Sequence, residues 1–203
     1  MKILAIGRNY IDHAKELNNP VPSEPVVFLM PETSILRKGQ AFFYPEFSMD
    51  VHFEVELVLK INRLGKNISE RFAHRYYEEI GIGIDFTARD LQSELKKKGL
   101  PWEKAKSFDG ATPLGEFVPK TAFQDIKNIN FSLDKNGKQV QFGNSKDMIF
   151  SFDAIISHVS KYFTLKIGDL IYTGTPAGVG PIQIGDELVG KIEGKELLKV
   201  QVK

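Results

Sequence analysis

The run Val51-His52-Phe53-Glu54-Val55-Glu56-Leu57-Val58-Leu59 alternates as a strand does, and it sets an apolar face against a face that carries two carboxylates. Successive strand side chains point to opposite sides, so Val51, Phe53, Val55, Leu57 and Leu59 share one face and Glu54 and Glu56 the other. A half-buried strand with solvated glutamates has the same pattern, and periodicity alone favours that reading. If the face is enclosed, two carboxylates a pleat apart need a cation between them. A hard divalent ion with oxygen ligands, Mg²⁺ or Mn²⁺, is the natural candidate.

A third ligand would strengthen the case, and Asp85 is the candidate. It closes Ile80-Gly81-Ile82-Gly83-Ile84-Asp85, in which the isoleucines take one face and Gly81, Gly83 and Asp85 the other. Glycines on a carboxylate's face suggest that backbone or ligand comes close there. The alternative, that Asp85 only begins the next turn, stays open.

The 203 residues are enough for a sizeable core, and we expect one domain over residues 1–203, opening with a strand and a lid-like helix over residues 1–20. With 27 basic against 26 acidic residues, the net charge of +1 does not favour a nucleic-acid partner. The absence of cysteine excludes disulfides, thiolate nucleophiles and Cys-zinc sites, and agrees with a reducing compartment. The apolar stretch from Ile3 to Ile6 is too short for a signal-peptide core, and no segment approaches the length of a membrane span. The expectation is a cytoplasmic protein that does not associate with membranes.

Lys2 to Ile6 reads as a strand, Gly7 to Tyr10 as a loop, and Ile11 to Leu17 as a short helix ended by Asn18-Asn19-Pro20. His13 and Glu16, three apart, can then meet on one helix face, the carboxylate fixing the tautomer and raising the basicity of the imidazole. Surface helices also produce such pairs by chance. Arg71 to Glu79 looks helical. Thr87 is placed to cap a helix running through Gln92 to Lys98, with Asp90 at the capping-box position and Gly99-Leu100-Pro101 as its stop. Arg89 and Gln92 on that helix could face an anionic ligand, or serve surface salt bridges equally well.

From about Thr112 the chain reads as β, with a hairpin at Asn136-Gly137 and strands around Phe131, Val140 and Leu170 to Tyr172. A helix over Phe152 to Tyr162 interrupts it, and His158 on that helix reads as structural, as does His74. Ile167-Gly168-Asp169 and Ile184-Gly185-Asp186 are similar turns that each open a short strand. Between them, Tyr172 to Pro181 is glycine-rich but lacks the Walker A ending and the spacing of a dinucleotide fingerprint. Such a loop could bring backbone N–H groups and the Thr175 hydroxyl to a small carboxylate, or be an ordinary tight connection.

Five separated segments together resemble the fumarylacetoacetate hydrolase superfamily, most closely its short acylpyruvate hydrolase and oxaloacetate decarboxylase-like members. They are Gly7-Arg8-Asn9-Tyr10 with His13 and Glu16; Glu54-Val55-Glu56-Leu57; Asp85 through Gln92; Pro101-Trp102 with Lys106-Ser107-Phe108-Asp109; and Gly174-Thr175-Pro176 through Gly180. The resemblance covers nearly the whole chain and implies an α+β, β-rich fold, a compact mixed β-sandwich roll with a few short helices, commonly a homodimer. It further implies that Glu54, Glu56 and Asp85 bind Mg²⁺ or Mn²⁺, with Ca²⁺ as a crystal stand-in, and that Lys106 reaches the bound substrate. His13 and Glu16 become a water-activating dyad on a mobile lid, and Arg89, Gln92 and Thr175 hold the substrate's carboxylate or carbonyl oxygens. Two departures stand out. Met30-Pro31 replaces a common Lys-Pro, which bears on recognition of a distal acidic group, and Ser145 replaces a common Thr.

The leading expectation is hydrolysis of an acylpyruvate such as fumarylpyruvate or acetylpyruvate. A 2-oxo acid chelates the ion, His13 takes a proton from water, and C3–C4 cleavage leaves a pyruvate enolate stabilised by the ion and Lys106. The alternative is oxaloacetate decarboxylation or tautomerisation, or the isomerase and hydratase chemistry of aromatic catabolism, through the same enolate. A metal-stabilised β module that binds without turnover is the third reading, against which the combination of ligands, base and lysine argues.

Overall fold

The computed structural model describes residues 1–17 and 19–203. In chain order the first elements are β1 (Ile3–Gly7), α1 (Ile11–Glu16), β2 (Val26–Met30), β3 (Ile35–Leu36), β4 (Val51–Phe53) and β5 (Val55–Ile61). There follow α2 (Glu70–Ala73), β6 (Tyr77–Ile84), β7 (Thr87–Ala88), α3 (Arg89–Lys98), α4 (Glu103–Lys106) and β8 (Thr112–Pro119). The remainder is β9 (Asn130–Lys135), β10 (Lys138–Asn144), α5 (Phe152–Tyr162), β11 (Leu170–Tyr172), β12 (Gly180–Pro181), β13 (Glu187–Ile192) and β14 (Lys195–Gln201). Asn18 of the expected helix stop lies outside the described residues.

Among the described residues the strands form three sheets. The largest has the order β2-β1-β11-β5-β6-β8-β3 and is mixed, because β1 pairs β11 and β3 pairs β8 in parallel while its other neighbours run antiparallel. The others are β10-β9-β13-β14 and β12-β4-β7. This is the β-rich α+β roll that the resemblance implies.

The large sheet is covered on both faces, which changes what the alternation in β5 means. Val55, Leu57 and Leu59 join Ile80, Ile82 and Ile84 of β6 in the main core. On the opposite face Val58 packs with Ile3, Ala5, Met30, Leu170 and Tyr172 in a second core. Glu54 and Glu56 lie on that second face, 5% and 2% exposed, so the face is enclosed and the solvated-strand reading fails.

The glycines of β6 make room for aromatic rings rather than for a ligand. A Cβ on Gly83 would lie 2.6 Å from the Tyr172 ring, and one on Gly81 2.9 Å from that of Phe117. Both rings belong to the second core.

Local readings fail where sheet pairing outweighs helical pattern. The expected helix over Arg71 to Glu79 is only Glu70–Ala73, because from Tyr77 onward the chain pairs in register with β5, Lys60 opposite Glu79. Thr87 does not cap α3. It is held in β7 opposite His52, Ala88 takes the cap position, and Asp90 instead accepts from the Ser48 hydroxyl at 2.7 Å and the Met49 N–H at 2.9 Å. Gly99 ends α3 in the left-handed region as expected. The Asn136-Gly137 hairpin, the helix over Phe152–Tyr162 and both Gly-Asp turns form where the sequence places them. In each of those turns the aspartate accepts from the N–H three residues earlier, Asp169 from Lys166 and Asp186 from Gln183, both at 2.8 Å.

Candidate active site

Glu54 sits at the break between β4 and β5, Glu56 within β5, and Asp85 just past β6. The Glu56 to Gly83 register and the hydrogen bond from Asp85 N to Glu54 O, 2.8 Å, bring the three together. Each offers an oxygen, and these oxygens lie within 4.8 Å of one another.

Two cations enter this cluster. Lys106, the last residue of α4, donates through Nζ to Glu54 Oε2 at 2.7 Å and to Asp85 Oδ2 at 2.6 Å. Arg89 donates through Nη2 to Glu54 Oε1 and through Nη1 to Gln92 Oε1, the latter at 2.8 Å. Glu56 accepts from the Gly174 N–H at 2.7 Å.

The balance of charge is uneven. Burial would raise Glu54, but Lys106 and Arg89 hold it well below the usual carboxylate range. Burial pushes Asp85 up to about 7, Glu54 adding to the rise and Lys106 opposing it. Burial also drives Glu56 well above its ordinary value, with Asp85 reinforcing and the Gly174 N–H opposing. Burial alone would lower Lys106, but Asp85 and Glu54 more than offset it and hold the ammonium charged. Three enclosed carboxylates thus face too little positive charge, and Asp85 Oδ1 is buried without a partner. An all-oxygen set of this kind fits a hard divalent cation.

α1 lies over the cluster. His13 is 5% exposed, and its Nδ1 meets Glu16 Oε2 at 3.2 Å. The other oxygen of Glu16 accepts from the Gly178 N–H at 2.9 Å. The glycine-rich loop therefore spends two backbone donors on protein carboxylates, Glu56 and Glu16, rather than on a ligand. Gly174, at φ +103°, passes so close to Asn9 that a Cβ would lie 2.6 Å from that of Asn9, and only glycine suits the position.

His13, Glu54, Glu56, Asp85, Arg89, Gln92, Lys106 and Thr175 all line one narrow pocket that opens to solvent. Glu16 stands behind His13, and the Nη donors of Arg89 are engaged with Glu54 and Gln92. The two departures lie elsewhere. Met30 is buried in the second core, and Ser145 bonds backbone groups at Ile129 and Ile126.

Sequence reasoning left Asn9 and Gln141 without roles. Asn9 donates to Thr173 O at 2.8 Å and Phe150 O at 3.0 Å and accepts from Phe150 N, which pins the start of the glycine loop. Gln141 accepts from Val55 N and donates to Thr175 Oγ1 and Pro176 O, each at 2.9 Å, and so ties β5 to the same loop. The signal for Asn9 lay in its place within Gly7-Arg8-Asn9-Tyr10.

A covered mixed sheet thus carries an enclosed carboxylate cluster with a bridging lysine and a His-Glu pair on one pocket. The fumarylacetoacetate (FAA) hydrolase C-terminal family matches residues 2–203, and the chain belongs to that family. An oxaloacetate tautomerase of Mus musculus is 45% identical over 201 residues, 99% of this chain and 91% of that protein. One of Escherichia coli K12 is 43% identical over 197 residues, 97% and 90% of the two chains. The crystal structure of fumarylpyruvate hydrolase from Pseudomonas aeruginosa in complex with Mn²⁺ and pyruvate aligns with a TM-score of 0.93 at 32% identity, covering 100% of this chain and 89% of that one. The two tautomerases, at the higher identities, favour the oxaloacetate chemistry over acylpyruvate cleavage, reversing the order that the sequence suggested. Among the described residues no helix is long and apolar enough to cross a membrane.

Proposed function

We propose that the protein is an oxaloacetate tautomerase that interconverts the keto and enol forms, with decarboxylation of the same substrate as a secondary activity. The observation that carries the reading is the convergence of Lys106, the His13–Glu16 pair and three enclosed carboxylates on one pocket, in a chain 43–45% identical to two oxaloacetate tautomerases. Glu54, Glu56 and Asp85 would hold Mg²⁺ or Mn²⁺, which when bound supplies an electrophile for the carboxylate and keto oxygens of the substrate. Lys106, kept cationic by Glu54 and Asp85, stabilises negative charge on the keto oxygen as the C3 proton leaves. His13, oriented through Nδ1 by Glu16, presents its other ring nitrogen to take that proton and return it. Thr175, Arg89 and Gln92 position the carboxylate end.

Acylpyruvate hydrolysis is the second reading, favoured by the same His-Glu pair and by the likeness to a fumarylpyruvate hydrolase. One panel separates them: keto–enol exchange of oxaloacetate by ultraviolet absorbance, carbon dioxide release, and pyruvate formation from acylpyruvates, each with Mg²⁺, Mn²⁺ or chelator. Fast exchange without acylpyruvate cleavage supports the proposal. Cleavage faster than exchange overturns it.

His13→Ala should slow the exchange by about 10² to 10⁴-fold, the usual loss for a positioned base, with divalent-ion affinity unchanged because His13 is no ligand. Unaltered exchange would remove His13 from the reaction. We also take α1 to be a lid, and amide hydrogen exchange across residues 11–16 should slow when oxalate and Mg²⁺ are added. Equal exchange in both conditions would count against a lid. The chain as a homodimeric cytoplasmic enzyme completes the reading, and light scattering at twice the chain mass tests the dimer.

A further inference from the structure

The deep half of the pocket is acidic, yet its rim carries two cations that the reaction above does not use. Arg89, Gln92 and Lys96 are spaced by three and four residues on α3, so they line one helix face, with Lys96 one turn, about 6 Å along the axis, beyond Gln92. Arg8 reaches the same pocket from the end of β1. Its backbone is left-handed at φ +60°, and its guanidinium stands over the Trp102 ring, 5.9 Å from the centroid. Trp102 packs on Phe28 at 5.9 Å between centroids, and Phe28 in turn lies 5.5 Å from Lys106 Nζ. An aromatic wall thus runs from the catalytic lysine to Arg8.

Among the described residues neither Arg8 nor Lys96 has a carboxylate partner. Lys96 Nζ donates to Asn19 Oδ1 at 3.0 Å. Burial, together with the like charges of Arg8 and Arg89, lowers Lys96, which places the three cations within one another's field. An anion at the rim would relieve that repulsion.

We propose that Arg8 and Lys96 form the subsite for the second carboxylate of a four-carbon 2-oxo diacid and so make the enzyme selective for diacids over monoacids. The inference rests on the proposed function, since a substrate anchored by its 2-oxo acid end among the carboxylates and Lys106 directs its C4 group outward along α3. A methyl ketone or pyruvate would leave both cations unmatched. The Arg8 guanidinium stands within cation–π distance of Trp102, and its fork suits a carboxylate.

The test is a pair of dissociation constants by calorimetry in Mn²⁺-containing buffer, for 3,3-difluorooxaloacetate, which has no C3 proton to lose, and for pyruvate. Wild-type protein should bind the diacid at least about tenfold more tightly, as expected for charge-assisted bonds to a partly exposed carboxylate. Lys96→Met and Arg8→Gln should each weaken the diacid by about five- to tenfold and pyruvate by less than about twofold, and Lys96→Glu should abolish the preference. Lys96 is an exposed helical position where Met has a similar helix propensity, so this arm survives even if Arg8→Gln fails to fold. Equal weakening of both ligands, or a diacid preference that persists in Lys96→Glu, overturns the subsite. Failure of the functional reading looks different: the diacid preference and its loss in the variants would be intact, while oxaloacetate showed no accelerated keto–enol exchange.

Discussion

Lys106→Met should lower the rate of oxaloacetate keto–enol exchange by about 10² to 10³-fold at saturating Mg²⁺, the cost typical of removing one preorganised donor to a developing oxyanion. The substitution carries a second signature. Nζ bonds both Glu54 and Asp85 in a fully enclosed site, and breaking a buried ion pair by deleting one partner costs about 3–5 kcal/mol, because the charges left behind stay desolvated. The metal-free variant should therefore unfold at clearly lower denaturant than wild type, and Mg²⁺ or Mn²⁺ should recover part of the difference by supplying the missing positive charge. Denaturant melts with chelator and with Mn²⁺ measure this. A variant equally stable in both conditions, with exchange intact, would mean that Lys106 is a bystander.

A second large effect is the response of metal-free protein to pH. Asp85 rises from an ordinary value of 3.8 to about 7, and burial, reinforced by Asp85, holds Glu56 well above its ordinary value. Between about pH 4 and pH 7 the folded protein holds protons that the unfolded chain has released, so its stability must fall as pH rises through that window. Glu54 has the opposite sign, but its window lies lower, since its contribution is complete above its unfolded value of 4.5 and is lost only as pH falls below it. At up to about 1.4 kcal/mol per pH unit and group, stability in chelator should drop on the order of 2–4 kcal/mol between about pH 5 and pH 7. A divalent ion held by Glu54, Glu56 and Asp85 would need them ionised, so added Mg²⁺ or Mn²⁺ should flatten or reverse the slope, more strongly at the higher pH. Asp85→Asn should lessen both the slope and the ion's effect. Chelator melts independent of pH across this range would refute the account of the carboxylates.

The acidic cluster was only half legible in a period of two. The run from Val51 to Leu59 alternates carboxylate and apolar residues, and β6 alternates glycine and isoleucine up to Asp85, but a solvated strand and an ordinary turn share those patterns, and the resemblance was needed to join the three residues. The His13–Glu16 contact was legible because helical spacing of three is local. Lys106 was not legible from pattern, since α4 is only four residues long, and resemblance alone pointed to it. The failures share a cause. Tyr77 onward has helix-like composition, but its conformation is decided by pairing with β5, and Thr87 could cap a helix in isolation but is committed to β4. The roles of Asn9 and Gln141 depend on partners as many as 164 residues away, which no local window contains. Gly81 and Gly83 signalled a close approach correctly, but what approaches is an aromatic ring rather than a ligand.

The parallel pairing of Ile3–Ala5 with Leu170–Tyr172 also governs how the molecule comes into being. β11 lies between β1 and β5, so until residues 170–172 leave the ribosome β1 has only β2 beside it and β5 has only β6. Glu56 and Glu16 also wait for the N–H groups of Gly174 and Gly178. Contacts this distant in sequence slow folding, because a long loop must close before they stabilise anything. The edges of β1 and β5 are left unpaired through most of synthesis, where they are open to the wrong neighbour. The backbone donors that hold Glu56 and Glu16 are thus among the last groups that synthesis supplies, on the loop that follows a strand of three residues set between β1 and β5.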